Sequence, residues 1–135
     1  MKITEFKIGD SARITRQITS DYVEKFAEMT GDDNPVHLDE EYAKNTMFSG
    51  RIVHGILVSG LISGVLGNKF PGYGTIYLSQ SLKFLKPVRI DDIITAEVEV
   101  IDINIEKNKL TLKTRCYNDK DIDVIVGEAI VLPPK

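Results

Sequence analysis

The sequence predicts an α+β fold in which a curved antiparallel sheet of five strands wraps one central, buried helix. Three observations support this prediction. The segment from residue 54 to about residue 69 has no polar face, which is typical of a buried helix. Four alternating or β-branched runs follow this segment, and one such run precedes it. A single layer of helix on a single layer of sheet would bury the apolar faces of both.

The first strand and the first helix are predicted from residues 12–31. Residues 12–19 alternate partly between apolar and polar side chains, which favours a short strand. Ser20 and Asp21 are suitable helix caps, with Glu24 placed three residues after Asp21. The helix ends at Thr30-Gly31, and its apolar stripe consists of Tyr22, Val23, Phe26 and Met29.

A loop and a second, short helix are predicted next. Pro35 disfavours a helical conformation at Asn34, so we expect this stretch to be extended or a turn. Asp39 is expected to cap a short helix that runs to Ala43.

The apolar segment from His54 to about residue 69 is interrupted only by small residues. Gly55, Gly60 and Gly64 fall within ten positions of one another, although each glycine in a helix interior costs about 1 kcal/mol relative to alanine. Close approach of the sheet or of a ligand would account for them.

The last part of the chain is predicted to form strands joined by short polar connections. This spacing favours an antiparallel meander. An unpaired sheet edge is a liability, so we expect two copies to pair edge to edge in a homodimer. The predicted strands are residues 75–84, 93–105, 109–117 and 124–132.

Composition narrows the class of protein. The 135 residues favour one domain covering residues 1–135, with 42% hydrophobic and 27% charged residues. A net charge of −3 gives no support for nucleic-acid binding, which normally needs a basic face. No signal peptide or membrane-length apolar run is visible, so a cytoplasmic protein is expected. The only cysteine, Cys116, is predicted to be a small buried apolar residue.

The run GDDNPVH at residues 31–37 contains the first candidate catalytic residues. Asp32 and His37 lie five residues apart across an Asn-Pro pair. A turn can bring this carboxylate and imidazole to the two sides of one water molecule, where both can take part in proton transfer. The alternative is a solvated loop, because Asp and Asn are common turn residues.

A second candidate site is the start of the apolar helix. The first N–H groups of a helix have no internal acceptor, so the N–H of Gly55 is placed to stabilise an oxyanion; the alternative is a tight turn. His54 is interpreted as structural. Ser63 is either a buried hydroxyl bonded to the backbone or a donor that faces the substrate.

These motifs together resemble the MaoC-like (R)-specific enoyl-CoA hydratases, also called hydratase 2. The resemblance covers nearly the whole chain, and its first motif is specific. It looks closest to the short, single-domain hydratases that supply (R)-3-hydroxyacyl-CoA for polyester synthesis. The matching segments are FAEMTGDDNPVH at residues 26–37 with Ala43 after five further residues, IVHG at 52–55, SG at 63–64, YLSQSLKF at 77–84 and GEA at 127–129.

The resemblance implies a hot-dog fold, a homodimer and reversible hydration of trans-2-enoyl-CoA to (R)-3-hydroxyacyl-CoA. By position, Asp32 and His37 would be the catalytic pair, Gly55 would donate its N–H to the thioester carbonyl, and Ser63 would match the family's active-site serine. Coenzyme A would be part of the substrate. No other cofactor and no metal is expected, since the sequence has no cluster of Cys and His ligands.

Three alternatives remain open from the sequence: an (R)-3-hydroxyacyl-ACP dehydratase, an acyl-CoA thioesterase, and a non-catalytic acyl-thioester-binding module. Leu57, Leu61 and Leu66 would line an acyl pocket or belong to the core. The basic residues Lys83, Lys86 and Arg89 would meet the phosphates of coenzyme A or form a solvated strand end. Acyl chain length, carrier and pathway are not predicted.

Overall fold

The computed structural model describes residues 1–135 and contains four α-helices after a short 3-10 turn, Ile3–Glu5. Helix α4 is the longest and carries the apolar segment. Two of the helices are very short, and both lie between the long helix α1 and helix α4. The helices are α1 (Ser20–Thr30), α2 (Pro35–Leu38), α3 (Glu40–Lys44) and α4 (Gly55–Asn68).

Six strands form one antiparallel sheet with the order β1-β4-β5-β6-β2, and β3 also pairs with β6. Strand β1 therefore forms one edge, and β2 together with β3 forms the other. The strands are β1 (Ser11–Gln17), β2 (Ile76–Gln80), β3 (Lys83–Phe84), β4 (Ile93–Asn104), β5 (Lys109–Tyr117) and β6 (Asp123–Leu132).

The core lies between one face of α4 and the inner face of the sheet. Val58, Ile62 and Val65 of α4 are fully buried there. The sheet contributes alternate residues of its central strands, because successive side chains point to opposite faces. The fully buried residues of strands β4, β5 and β6 include Ile94, Ala96, Val98, Val100, Leu110, Leu112, Ala129 and Val131.

The outer face of α4 is open in the single chain, although its sequence predicted a helix buried all round. Ile56 is 57% exposed and Ser63 is exposed. The sheet covers only one side of the helix, so the other side faces outward beside edge strand β2. The glycines of α4 also differ in whether they face the sheet or the open side of the helix. A Cβ at Gly64 would lie 3.2 Å from Ile14 of the sheet, whereas one at Gly60 would meet nothing within 4 Å.

Three details of the predicted elements are wrong. Thr19, rather than Ser20 or Asp21, caps α1, and its side chain accepts from the Tyr22 N–H. Residues 75–84 form two short strands, so the sheet has six strands instead of five. The meander holds only for β4, β5 and β6, since β2 lies at the far edge against β6.

Gly127 explains why residues 75–84 break into two strands. A Cβ at Gly127 would lie only 1.8 Å from the Ser81 carbonyl oxygen, so the backbone of β6 contacts the connection between β2 and β3 directly. The Ser81 N–H donates to the Glu128 carbonyl at 2.9 Å, and the Ser81 hydroxyl accepts from the Glu128 N–H at 3.0 Å.

Cys116 is buried, as predicted, and burial raises the pKa of its thiol to about 12. A thiol held protonated in this way is a poor nucleophile. None of the helices has the length and apolar character needed to cross a membrane.

Candidate active site

The segment from Gly31 to Leu38 leads from one helix directly into another. Gly31 ends α1 in the left-handed conformation, with φ 81°, which glycine adopts without strain. Asn34 is extended, as Pro35 requires, and its side chain accepts from the Val36 N–H at 3.2 Å. Pro35 occupies the first turn of α2, where its missing N–H costs nothing. His37 therefore lies on a one-turn helix, and the expectation of an extended stretch or turn through this residue is wrong.

The His37 ring is held by the backbone of the segment before α4. Its Nδ1 lies 2.8 Å from the Ile52 carbonyl oxygen. The Ile52 N–H in turn donates to the Val36 carbonyl at 3.2 Å. Because a carbonyl oxygen can only accept, Nδ1 carries the proton and Nε2 of the neutral ring keeps its lone pair. His37 is buried, with 9% exposed, so this orientation is fixed.

Arg51 supports the same turn and was missed in the sequence. Its Nε donates to the His37 carbonyl at 2.7 Å, and a terminal nitrogen donates to the Ser20 hydroxyl at 3.1 Å. The His37 carbonyl lies at the end of a one-turn helix and has no helical partner of its own. Arg51 thus fixes the catalytic candidate through its backbone. Only its position three residues before His54 could have drawn attention to it.

The structure brings Asp32, His37 and His54 together. An oxygen of Asp32 and one ring nitrogen of each histidine all lie within 4.8 Å of one another. No direct hydrogen bond joins the carboxylate to either ring; both histidines bond to backbone carbonyls. The gap suits one bridging water molecule, given oxygen–acceptor distances of about 2.8 Å.

His54 contacts both members of the predicted catalytic pair. Its Nε2 lies 2.9 Å from the Asp32 carbonyl oxygen and must donate to it. Its ring stacks on the His37 ring, with centroids 3.8 Å apart and planes at 29°. The ring of Phe26 also contacts His54, with centroids 4.7 Å apart and planes at 54°.

The second nitrogen of His54 is buried without a partner. His54 is 2% exposed, and its Nδ1 makes no hydrogen bond. Burial lowers the pKa of His54 below its usual value, and the neighbouring His37 acts in the same direction. The Asp32 carbonyl and carboxylate oppose this shift less strongly. His54 is therefore a neutral ring near pH 7, with its single proton on Nε2.

Gly55 offers a free donor beside this cluster. The N–H groups of Gly55, Ile56 and Leu57 begin α4, and none has an acceptor in the chain. The helix dipole adds a positive field there. A Cβ on Gly55 would lie 2.6 Å from the ring of Phe84, so glycine is required for the aromatic ring to pack against this backbone.

Ser63 is not brought to the same place. It lies eight residues beyond Gly55 in α4, about 12 Å along the helix axis at the usual rise. Its hydroxyl is exposed and makes no hydrogen bond, so the alternative of a buried, backbone-bonded serine is wrong. It lines a shallow hollow with Tyr77 and Gln80.

A protein-family model described as a MaoC like domain matches residues 6–120. The chain belongs to the MaoC-like family. The (R)-specific enoyl-CoA hydratase of Rhodospirillum rubrum is 45% identical over 130 residues, which cover 96% of this chain and 90% of the relative. A mitochondrial 3-hydroxyacyl-[acyl-carrier-protein] dehydratase of Arabidopsis thaliana is 40% identical over 134 residues, covering 97% of this chain and 80% of the relative.

The fold of this MaoC-like chain is shared with solved hydratases. An (R)-hydratase from A. caviae involved in PHA biosynthesis has a TM-score of 0.93 and 42% identity, over 96% of this chain and 98% of that one. The predicted α+β hot-dog fold and the predicted family are confirmed.

The Asp32, His37 and His54 cluster of this MaoC-like chain is a poor fit for a resident metal ion. One nitrogen of each ring is occupied by a backbone carbonyl. The two rings are nearly parallel and stacked, so their in-plane lone pairs do not converge on a single point, as tetrahedral coordination requires.

Proposed function

We propose that the protein adds water reversibly across trans-2-enoyl-CoA to give (R)-3-hydroxyacyl-CoA. In this proposal Asp32 and His37 act on the water, and the Gly55 N–H acts on the thioester oxygen. Relatives named as (R)-specific enoyl-CoA hydratases, similar over almost their whole length, support a hydro-lyase. The observation that carries the residue roles is the convergence of Asp32 and His37 within 4.8 Å.

The proposed reaction follows from the two halves of the site. The water oxygen bonds to C3 of the enoyl group while the Asp32 carboxylate and the His37 Nε2 lone pair hold its two protons. One proton passes to this pair, and the other stays on the new 3-hydroxyl. Electron density moves to the thioester oxygen, where the free N–H of Gly55 stabilises it. The pair then delivers the proton it accepted to C2, where the electron density returns from the thioester oxygen to form the C–H bond. The elements of water are thus added without a change in redox state, and the proposal needs no metal or other cofactor.

The test is hydration of crotonyl-CoA, followed as loss of enoyl absorbance. Asp32→Asn and His37→Gln are each expected to lower kcat by about 10²–10⁴, the usual contribution of a positioned acid or base. Asp33→Asn is the matched control, since Asp33 is an exposed neighbouring carboxylate outside the cluster. Absence of hydration by the wild type, or full activity of Asp32→Asn, would contradict the proposal.

The second candidate is an (R)-3-hydroxyacyl-ACP dehydratase, which the Arabidopsis relative supports. The chemistry at Asp32 and His37 would be the same, and only the carrier would differ. Comparison of kcat/KM for crotonyl-CoA and for the crotonyl thioester of an acyl carrier protein separates the two. A kcat/KM for the carrier-protein thioester that exceeds kcat/KM for crotonyl-CoA would favour the dehydratase.

We also propose that two copies form a homodimer through edge strand β2 and the open face of α4. Ile76 and Leu78 of β2 are 57% and 47% exposed, and Ile56 of α4 lies on the same side. An exposed apolar edge strand favours pairing with another chain.

A further inference from the structure

We infer that Arg51 is a positioning residue for the catalytic pair, because its guanidinium joins the two ends of the chain segment that carries Asp32 and His37. This inference rests on the proposed function and adds a residue outside the catalytic cluster. Arg51 acts through two neutral groups. Its Nε donates to the His37 carbonyl at 2.7 Å, and a terminal nitrogen donates to the Ser20 hydroxyl at 3.1 Å. Its side chain forms no ion pair within the chain.

The segment of residues 20–37 is held at both ends by this one side chain. It consists of α1, the connection that contains Asp32, and most of the one-turn helix α2. Ser20 begins α1 and His37 lies in α2, so the two residues that Arg51 binds enclose Asp32 between them. Joining the ends of a flexible segment reduces the conformations open to every residue within it. The bond therefore limits how far Asp32 and His37 can move relative to each other.

Helix α1 has no other hydrogen-bonded restraint of this kind. The bond from Arg51 to Ser20 is the only hydrogen bond that joins a residue of α1 to a residue outside 19–32. The one ion pair of the helix lies within it, between Lys25 and Asp21. The buried side chains of α1 pack against the interior, but apolar packing is non-directional. The directional restraint on α1, and hence on the residue that follows it into the site, comes from Arg51.

Arg51 belongs to a stretch of chain that is itself fixed. The next residue, Ile52, forms an isolated antiparallel β-bridge with Arg89, which follows strand β3. The Ile52 carbonyl also holds the His37 ring. That contact uses only the backbone of Ile52, whereas Arg51 is the only residue whose side chain hydrogen-bonds to His37. A substitution at Arg51 therefore removes one support of His37 and leaves the catalytic side chains and the ring contact in place.

The first measurement compares kcat and KM for crotonyl-CoA in the wild type and in Arg51→Ala. We expect kcat to fall roughly 10–100-fold, because a small displacement of catalytic groups by a remote substitution can cost about 10² in rate. KM should be unchanged, since Arg51 bonds only to groups of the protein. Arg16→Ala is the matched control and should change neither value, because Arg16 is exposed and bonds only to the carbonyl of the preceding residue.

Added guanidinium separates positioning from a general loss of stability. Guanidinium has the donors needed for both acceptors, so it should restore part of kcat in Arg51→Ala at concentrations far below those that unfold the protein. It should not raise kcat of the wild type or of Arg16→Ala. Arg51→Lys should also recover only part of kcat, because an ammonium lacks the planar fork of donors. A fall in kcat that follows the loss of folded protein by circular dichroism, and that guanidinium does not reverse, would overturn the inference.

A double-mutant cycle tests whether the two bonds of Arg51 act as one unit. Ser20→Ala removes the bond to α1 and leaves the bond to the His37 carbonyl, so it should lower kcat less than Arg51→Ala does. The double variant should have the kcat of Arg51→Ala, because residues in one hydrogen-bond network are not additive. Additive losses in the double variant would overturn the inference. Failure of the wild type to hydrate crotonyl-CoA contradicts the proposed function itself, whereas normal wild-type hydration with an equal kcat for Arg51→Ala contradicts only this inference.

Discussion

Replacing His54 by phenylalanine separates the role of its ring from the roles of its two nitrogens. A phenyl ring keeps the contacts with His37 and Phe26, which lie 3.8 and 4.7 Å from the His54 centroid. The variant loses the bond to the Asp32 carbonyl, worth about 0.5–1.5 kcal/mol net. It also removes the unpartnered Nδ1, whose burial costs about 1–3 kcal/mol. The free energy of unfolding should therefore change by between a loss of about 0.5 and a gain of about 2.5 kcal/mol.

The hydratase activity of His54→Phe is expected to fall, although its free energy of unfolding is not expected to fall by more than about 0.5 kcal/mol. The Asp32 residue is exposed, so its freed carbonyl can bond to water, but its loop is no longer tied to the buried ring. We expect kcat for crotonyl-CoA to fall about tenfold, which corresponds to about 1.4 kcal/mol of transition-state stabilisation. His54→Gln retains an N–H donor and should recover part of this loss.

The pH dependence of stability provides an independent readout. Burial lowers the pKa of His54 in the folded state, while in the unfolded chain it is about 6.5. Below that pH the unfolded chain takes up a proton that the folded site resists, so stability falls as pH decreases. Urea unfolding of His54→Phe should lack this part of the acid loss. Unchanged kcat together with an unchanged acid loss would refute the assigned role of His54, and destabilisation by more than about 3 kcal/mol would show that Nδ1 has a partner.

Two further substitutions test the fold and the assembly. Gly127→Ala should lower the free energy of unfolding in urea by more than about 3 kcal/mol, because its Cβ would overlap the Ser81 carbonyl. The control is Gly67→Ala in helix α4, whose Cβ would meet nothing within 4 Å. It should raise the free energy of unfolding by up to about 1 kcal/mol. The wild type should sediment at about twice the chain mass of 15.1 kDa, and Leu78→Lys at the β2 edge should sediment as one chain. Ile101→Lys, an exposed apolar position on inner strand β4, should leave the mass unchanged, and a monomeric wild type would contradict the proposed dimer.

The helices and strands of this fold could be predicted from local sequence patterns, but the pairing of the strands in the sheet could not. Helix α4 and strand β5 match their predicted ranges closely because hydropathy and residue type alone define them. The position of β2 depends on contacts across more than fifty residues, since Ile76 pairs with Leu132. Neighbouring strands in sequence are neighbours in the sheet only about two-thirds of the time, and the predicted meander assumed that they always are.

In the candidate site, the functional side chains could be predicted from the sequence, but the backbone groups that orient them could not. Asp32, His37 and Gly55 were predicted because their types and spacing indicate chemistry. The groups that orient them are mostly carbonyl oxygens, of Ile52 for His37 and of Asp32 for His54. Every residue has a carbonyl, so no residue type marks these positions. The role of Arg51 was not predicted for a related reason, because its side chain donates to a backbone carbonyl, that of His37.

These backbone partners also fix which ring nitrogen of each buried histidine carries the proton. A carboxylate in the same place would favour the imidazolium more strongly, whereas a carbonyl oxygen accepts the ring N–H without placing a negative charge beside it. His37 thereby keeps Nε2 available as an acceptor. His54 keeps its proton on Nε2, which donates to the Asp32 carbonyl. Burial lowers the pKa of His54, which disfavours a positive charge against the His37 ring. A neutral water molecule is the species this arrangement suits, since it can donate to both the carboxylate and the Nε2 lone pair.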